Sequence, residues 1–169
     1  MLVSILINNY NYARYLDECI LSLKNQTYKN VEIIFYDDGS SDNSLDIVSK
    51  YDFVKIISER NHGKRPAFNQ ANAINNAFVA SKGEIICLLD SDDYFDSCKI
   101  EKVVAAFNID DNTVLVQNAA IIIKDGIRTG VHDYSIKGVD YKKLYYKKRW
   151  TGFFNPTSDL SFRRSFLEK

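Results

Sequence analysis

Short apolar runs alternate with longer segments of helical period along this chain, and that alternation predicts its architecture. Val3 to Ile7, Val31 to Tyr36 and the run Glu84-Ile85-Ile86-Cys87-Leu88-Leu89 have the apolar, β-branched character of strands covered on both faces. Val54 to Ser58 is a shorter strand of the same kind. Between the strands, Tyr15 to Asn25 sets Leu16, Cys19, Ile20 and Leu23 on one helical face, and a second helix ends near Tyr51. Ala67 to Ser81 reads as a third helix with a buried stripe of Ala71, Ile74, Phe78 and Val79, stopped by Gly83, and Ser97 to Phe107 as a fourth. Strand, helix and strand in succession predict βαβ units: an α/β protein with a mostly parallel, Rossmann-like sheet in a three-layer α/β/α arrangement. Beyond these, the run Val114 to Ile123 is followed by the hairpin signal Asp125-Gly126, so Ile127 to Val131 is expected to pair back antiparallel and make the sheet mixed.

Composition narrows the picture. At 169 residues, 46% of them hydrophobic, the chain holds enough for one core, and a single domain over 1–169 is expected. Lys plus Arg and Asp plus Glu balance at 22 each, which excludes a bulk basic surface and points away from nucleic acid as a partner. Cys19, Cys87 and Cys98 lack C-x-x-C spacing and read as reduced core or near-core thiols. The N-terminus has no basic region, cleavage site or membrane-length run, so a cytoplasmic location is expected. No repeat, linker or low-complexity tract interrupts the chain, and its last segment, Phe162 to Lys169, reads as the opening of a helix without a C-cap, as in the N-terminal part of a longer protein.

Candidate chemistry gathers at the predicted strand ends. Leu88-Leu89-Asp90-Ser91-Asp92-Asp93 drives two apolar residues straight into three carboxylates within four positions. Carboxylates so close repel one another and persist near a buried strand end when a cation neutralises them; a divalent metal is the natural partner. Asp90 and Asp92, two apart, are placed to straddle a cation and a ribose or phosphate, and Mg2+ or Mn2+ suits one or two carboxylates completed by substrate phosphates. Asp37-Asp38-Gly39-Ser40-Ser41-Asp42 gives a second acidic loop, in which Ser41 or Asp42 caps the next helix and Gly39 supplies backbone freedom; its carboxylates suit a base N–H or a ribose hydroxyl, or else Asp37 or Asp38 only caps that helix. The end of the first strand, Asn8-Asn9-Tyr10-Asn11-Tyr12, carries amides and phenols where a dinucleotide fold carries G-x-G-x-x-G. It suits a nucleobase held by stacking and edge hydrogen bonds, or else only closes a turn. In a parallel sheet the loops at Asn8, Asp37 and Asp90 leave one edge and converge on one crevice.

With these loops in hand, the chain resembles the family 2 glycosyltransferases of glycosyltransferase-A fold. Val3 to Asn11 is similar to that family's opening strand and P-T-Y-N loop, with Asn8 in place of the usual Pro; Leu16, Ser22, Asn25-Gln26-Thr27-Tyr28, Asp37 to Asp42 and Leu89 to Asp93 continue the match in order. Leu160-Ser161-Phe162-Arg163-Arg164 echoes a later segment. The resemblance implies transfer of a sugar, usually with inversion, from a nucleoside-diphosphate donor, UDP preferred, to a hydroxyl of a saccharide or lipid-linked acceptor in polysaccharide or glycan assembly. It implies that Asn8, Asn9, Tyr10 and Asp38 hold the base, Asp90 the ribose region, and Asp92, with Asp90, the Mn2+ or Mg2+ bridging the diphosphate, with Asp37 and Ser91 completing the nucleotide-sugar-binding set. It places the catalytic base in a motif downstream of the Phe-Arg-Arg segment, beyond Lys169, with Asp159 the one candidate in the tail. The loop Gly63-Lys64-Arg65-Pro66 lies further upstream than the family's spacing, and offers Lys64 or Arg65 to the diphosphate or else only a solvated turn.

Two readings compete. A haloacid-dehalogenase-like phosphatase also uses a strand-ending D-x-D, but after its first strand and followed by Thr or Val, whereas here Asp93-Tyr94 follows. A non-catalytic nucleotide-sugar-binding domain would keep the crevice without turnover. Tyr141 to Trp150, basic and aromatic, reads as an amphipathic surface helix or as a peripheral contact with an anionic membrane.

Overall fold

The computed structural model describes residues 1–61, 63, 65–132 and 157–168. Its strands are β1 (Val3–Asn9), β2 (Val31–Asp37), β3 (Val54–Ser58), β4 (Ile85–Asp90), β5 (Leu115–Gln117), β6 (Ala120–Lys124), β7 (Ile127–His132) and β8 (Leu160–Arg163). Its helices are α1 (Ala13–Lys24), α2 (Ser44–Val48), α3 (Pro66–Ala80), α4 (Lys99–Phe107) and a short α5 (Arg164–Leu167), with a single 3-10 turn at Thr157–Asp159. The central sheet runs β3-β2-β1-β4-β8-β5. Strands β1 to β4 are mutually parallel, and β8 lies antiparallel to both β4 and β5.

Strand alternation divides the core. Ile5, Ile7, Ile33, Phe35, Cys87 and Leu89 face the layer of α1, α2 and α4, whereas Leu6, Ile34, Tyr36, Ile86 and Leu88 face α3. The central strands are buried on both sides, which is why they read as continuous apolar runs. This is the expected three-layer α/β/α arrangement.

Three expectations are corrected in detail. The stripe of α3 is Ala73 and Ala77, flanked by half-buried Ile74 and Phe78; Ala71 is exposed and Val79 is 74% exposed. Alanine here lets the helix approach the sheet, and its neighbours Asn72 and Asn76 donate to the Tyr36 hydroxyl, each at 3.3 Å. The Asp125-Gly126 turn forms, with φ of 50° and 74°, but β6 and β7 pair in a separate two-stranded sheet. The antiparallel member of the central sheet is instead β8, inserted from 70 residues downstream of β4. Gly83 does not stop α3 through a left-handed cap, since Ser81 closes the helix by donating its hydroxyl to the Phe78 carbonyl. Gly83 is needed for space: a Cβ there would lie 2.4 Å from Ser4 Oγ and 2.5 Å from Ser4 N.

The two arginines of the Phe-Arg-Arg segment clamp opposite layers. Arg163 donates to the carbonyls of Thr113 and Phe107, and Arg164 to the Gly83 carbonyl and Ser81 hydroxyl while stacking on Phe78. No helix among the described residues is long and apolar enough to cross a membrane.

Candidate functional site

The order β2-β1-β4 makes β1 and β4 the point where the chain switches direction across the sheet, and open α/β sheets bind ligands outside the carboxyl ends of such strands. A crevice of about 690 Å³ opens there. Asn8, Asn9, Tyr10, Asp38, Asp90, Ser91 and Asp92 all line it. The parallel register explains the gathering: Asn8 pairs with both Tyr36 and Asp90, and Asn9 with Asp37.

Asp37 is the one residue of the expected nucleotide-sugar-binding set that does not line the crevice. It is fully buried and accepts from Asn9 Nδ2 at 2.9 Å and from the Ser40 backbone N–H at 3.0 Å and hydroxyl at 2.5 Å. Its role in the structure is to bind the β1 and β2 loops together. Asn11 extends this lattice: its carbonyl oxygen accepts from the backbone of Ser41 at 2.7 Å and Asp42 at 3.3 Å. The N-cap position of α2 falls on Asn43 rather than on Ser41 or Asp42; Asp42 instead accepts from Ser44 N at 3.0 Å and from Ala13 N at the start of α1. Gly39 adopts φ +71°, and a Cβ there would stand 2.6 Å from Asn61 N, so the β2 loop packs directly on the strand-β3 exit loop.

That packing brings Asn61 into the site, where its amide donates to Asp38 Oδ2 at 2.6 Å. Asn61, Asn69, Gln70 and Tyr12 are lining residues that the strand-end argument did not assign. Gln70 donates to Asp90 Oδ1 at 3.0 Å and to Thr157 Oγ1 at 3.3 Å. The available signal was the polar beginning of an otherwise alanine-rich helix, whose N-terminal end must lie beside the strand ends.

The carboxylates of the acidic loop raise one another. Burial pushes the Asp90 carboxyl above its ordinary value; hydrogen bonds from Asn8 and Gln70 pull the other way, and the charges of Asp93 and Asp92 add to the rise. Partial burial raises Asp92 also, with Asp93 adding to the effect and the Arg14 guanidinium opposing it. Two carboxylates held in a polar crevice suit the sparse protein ligand set of Mg2+ or Mn2+. Among the described residues no group of three or more His, Cys, Asp or Glu side chains forms a self-sufficient metal cage.

Behind the crevice, the loop after the acids is anchored by α1. Phe95 N donates to Ser22 Oγ at 3.1 Å, and the buried Gln26 donates to the Asp96 carbonyl at 2.8 Å while accepting from Ile100 N at 3.1 Å. Asp159 lies outside the lining, 3% exposed and accepting from Asn118 Nδ2 at 2.9 Å. Arg65 serves α3 as its N-terminal flanking residue and is also outside the lining. Lys64 and residues 141–150 lie outside the described residues.

This mostly parallel, mixed sheet with a crevice at its switch point has the glycosyltransferase-A type fold, as likeness to solved structures bears out. Staphylococcus aureus TarS, residues 1–349 in complex with UDP, matches with a TM-score of 0.72 at 21% identity, over 99% of this chain and 48% of that one. A mannosyltransferase from Pyrobaculum calidifontis in complex with GDP-Man and Mn2+ matches with a TM-score of 0.67 at 20% identity, over 98% and 45%. The family model for glycosyl transferase family 2 matches residues 4–169, and the chain belongs to that family. An uncharacterized glycosyltransferase of Nostoc sp. is 35% identical over the whole of this chain and 53% of its own length. The UDP-Glc:alpha-D-GlcNAc-diphosphoundecaprenol beta-1,3-glucosyltransferase WfaP of Escherichia coli is 38% identical over 77% of this chain and 50% of its own. The chain thus spans about half the length of these curated relatives.

Proposed function

We propose that this chain binds the donor in a metal-dependent, inverting transfer of a sugar from a nucleoside diphosphate, UDP foremost, to a hydroxyl acceptor. The observation that carries the reading is the convergence of Asn8, Tyr10, Asp38, Asp90 and Asp92 on one crevice at the β1–β4 switch point. Tyr10, nearly half exposed at the rim, offers its ring to the base, and Asp38, held by Asn61, accepts from a base N–H. Asp90, fixed by Asn8 and Gln70, accepts from a ribose hydroxyl. Asp92, with Asp90, would hold Mn2+ or Mg2+, which when bound supplies charge neutralisation for the departing diphosphate. The Mn2+ of the structurally similar mannosyltransferase and the UDP-Glc of the Escherichia coli relative support these choices.

In the proposed reaction the acceptor oxygen bonds to the anomeric carbon as the bond to the diphosphate oxygen breaks, and the hydroxyl proton passes to a base. The crevice carboxylates Asp38, Asp90 and Asp92 all have donor-side work, and buried Asp159 is ill placed for a hydroxyl acceptor, so the base lies outside this lining. A lipid-linked acceptor, a role in polysaccharide assembly and a cytoplasmic location belong to the same proposal. Titration calorimetry with UDP, GDP and dTDP, each with and without Mn2+, beside Asp92→Asn, tests it. Metal-dependent binding of one diphosphate, lost in the variant, is expected; no binding of any would overturn the donor-site reading. Binding with no transfer to any of a broad acceptor panel would favour a binding module.

A further inference from the structure

We infer that Ser158 is a positioning residue that clamps the acidic turn and so sets its affinity for a metal–diphosphate; this rests on the donor-site reading above. The turn Asp90-Ser91-Asp92-Asp93 is closed by its own backbone, with Asp93 N donating to the Asp90 carbonyl at 3.0 Å. Ser158 spans it from outside. Its hydroxyl accepts from Asp90 N at 2.9 Å and donates to Asp93 Oδ2 at 2.5 Å, so one oxygen holds the first and last residues of the turn together.

Ser158 is itself fixed. It is 7% exposed, and its carbonyl accepts at 3.3 Å from the ammonium of Lys99, a buried lysine at the start of α4 that also donates to Asn118 Oδ1. Asn118 in turn bonds both the side chain and the backbone carbonyl of Asp159. Neighbouring Thr157 meets Gln70, the residue that orients Asp90. The segment Thr157–Asp159 leads into β8, the antiparallel strand, and an antiparallel strand beside β4 necessarily begins at the end where β4 delivers its acids. Neither Ser158 nor Asp93 lines the crevice, so the clamp acts through Asp90 and Asp92.

Removing the hydroxyl that ties the Asp90 N–H to the Asp93 carboxylate leaves the two ends of the turn unlinked and the turn free to spread. Ser158→Ala is expected to weaken Mn2+-dependent UDP binding about tenfold or more, while metal-free uridine binding, shared by Tyr10 and Asp38 with Asp90, falls by less than about threefold. Ser158→Thr, which keeps the hydroxyl, is expected to restore affinity. Should the threonine methyl prevent folding, Asp93→Asn and Asp93→Ala carry the same test: the amide keeps a partner for Ser158 and retains affinity, and alanine loses it. Equal loss of uridine and Mn2+–UDP binding in Ser158→Ala, or equal loss in Asp93→Asn and Asp93→Ala, would overturn the clamp in favour of general destabilisation or simple charge. A wild-type chain that binds Mn2+–UDP no better than Ser158→Ala removes the clamp alone. A wild-type chain that binds no diphosphate removes the clamp together with the reading beneath it.

Discussion

Asn8 and Asp90 are the last pair in the parallel ladder of β1 and β4, and the Asn8 side chain works against the rise of the Asp90 carboxyl. Two strands whose last paired residues lie 82 positions apart in sequence thereby set an amide beside a carboxylate. A carboxylate near a strand end is oriented there by an amide that cannot titrate, and its remaining charge faces the crevice.

The raised carboxyl of Asp92 predicts a conflict between stability and binding. Because folding favours its protonated form, the charged form opposes folding, and that penalty is absent in acid and grows as pH rises through the raised value. Asp92→Asn is expected to melt higher than the wild type at pH 7, with the gap closing towards pH 4, while losing metal-dependent nucleotide binding. Thermal melts across that range check it.

Asp42 predicts the opposite sign. Burial works against its charge, but the Ser44 hydroxyl, Ala13 N–H and Ser44 N–H hold the carboxyl below its ordinary value. Its contribution is complete above that ordinary value and is lost as pH falls through the depressed one. Asp42→Ala is expected to cost about 0.5 kcal/mol at pH 7 through the starts of α1 and α2, solvent screening of this exposed carboxyl keeping the loss small. The difference should vanish in strong acid, as read by denaturant titration at several pH values.

Two glycines are expected to resist substitution for different reasons. Gly39→Ala must hold a left-handed residue, at about 1–2 kcal/mol, and push the Asn61 backbone away; a fall in Tm of roughly 5 °C or more is expected, with weaker nucleotide binding through Asn61 and Asp38. Gly83→Ala carries no such φ but meets the Ser4 backbone, so its melting temperature should fall at least as far with binding spared in the folded fraction.

Thiol labelling should sort the cysteines by depth. Burial pushes Cys19 far above, and Cys87 above, the ordinary thiol range, whereas Cys98 is half-buried at the start of α4. One thiol is expected to react with an aromatic disulfide reagent in the native protein and three after denaturation. Fast labelling of Cys87 in native protein would contradict the covered centre of β4.

Much of this protein was legible along the chain. The paired faces of β1, β2 and β4, the four main helices and the acids at two strand ends are local periodic signals, and Val54–Ser58 appeared with the bounds that the structure gives it. The stripe of α3 was misplaced because alanine and asparagine give little periodic contrast. The exposed β6–β7 hairpin read as part of the sheet because turn chemistry specifies pairing between neighbours and says nothing about which sheet receives them.

The sequence by itself determined which residue types meet at the strand ends, since alternation and turn chemistry act within a few residues. Which of two adjacent acids serves the crevice was decided by the folded sheet. Asn8 and Asp90 share the parity of Leu6 and Leu88, which face α3, and Asp38 continues that of Tyr36; Asp37 shares the parity of Phe35 and is buried on the opposite face. Gln70 and Ser158 reached Asp90 only through tertiary contacts, across 20 and 68 positions. Such partners follow no period, because packing of helix on sheet and insertion of β8 join segments whose separation along the chain carries no physical signal.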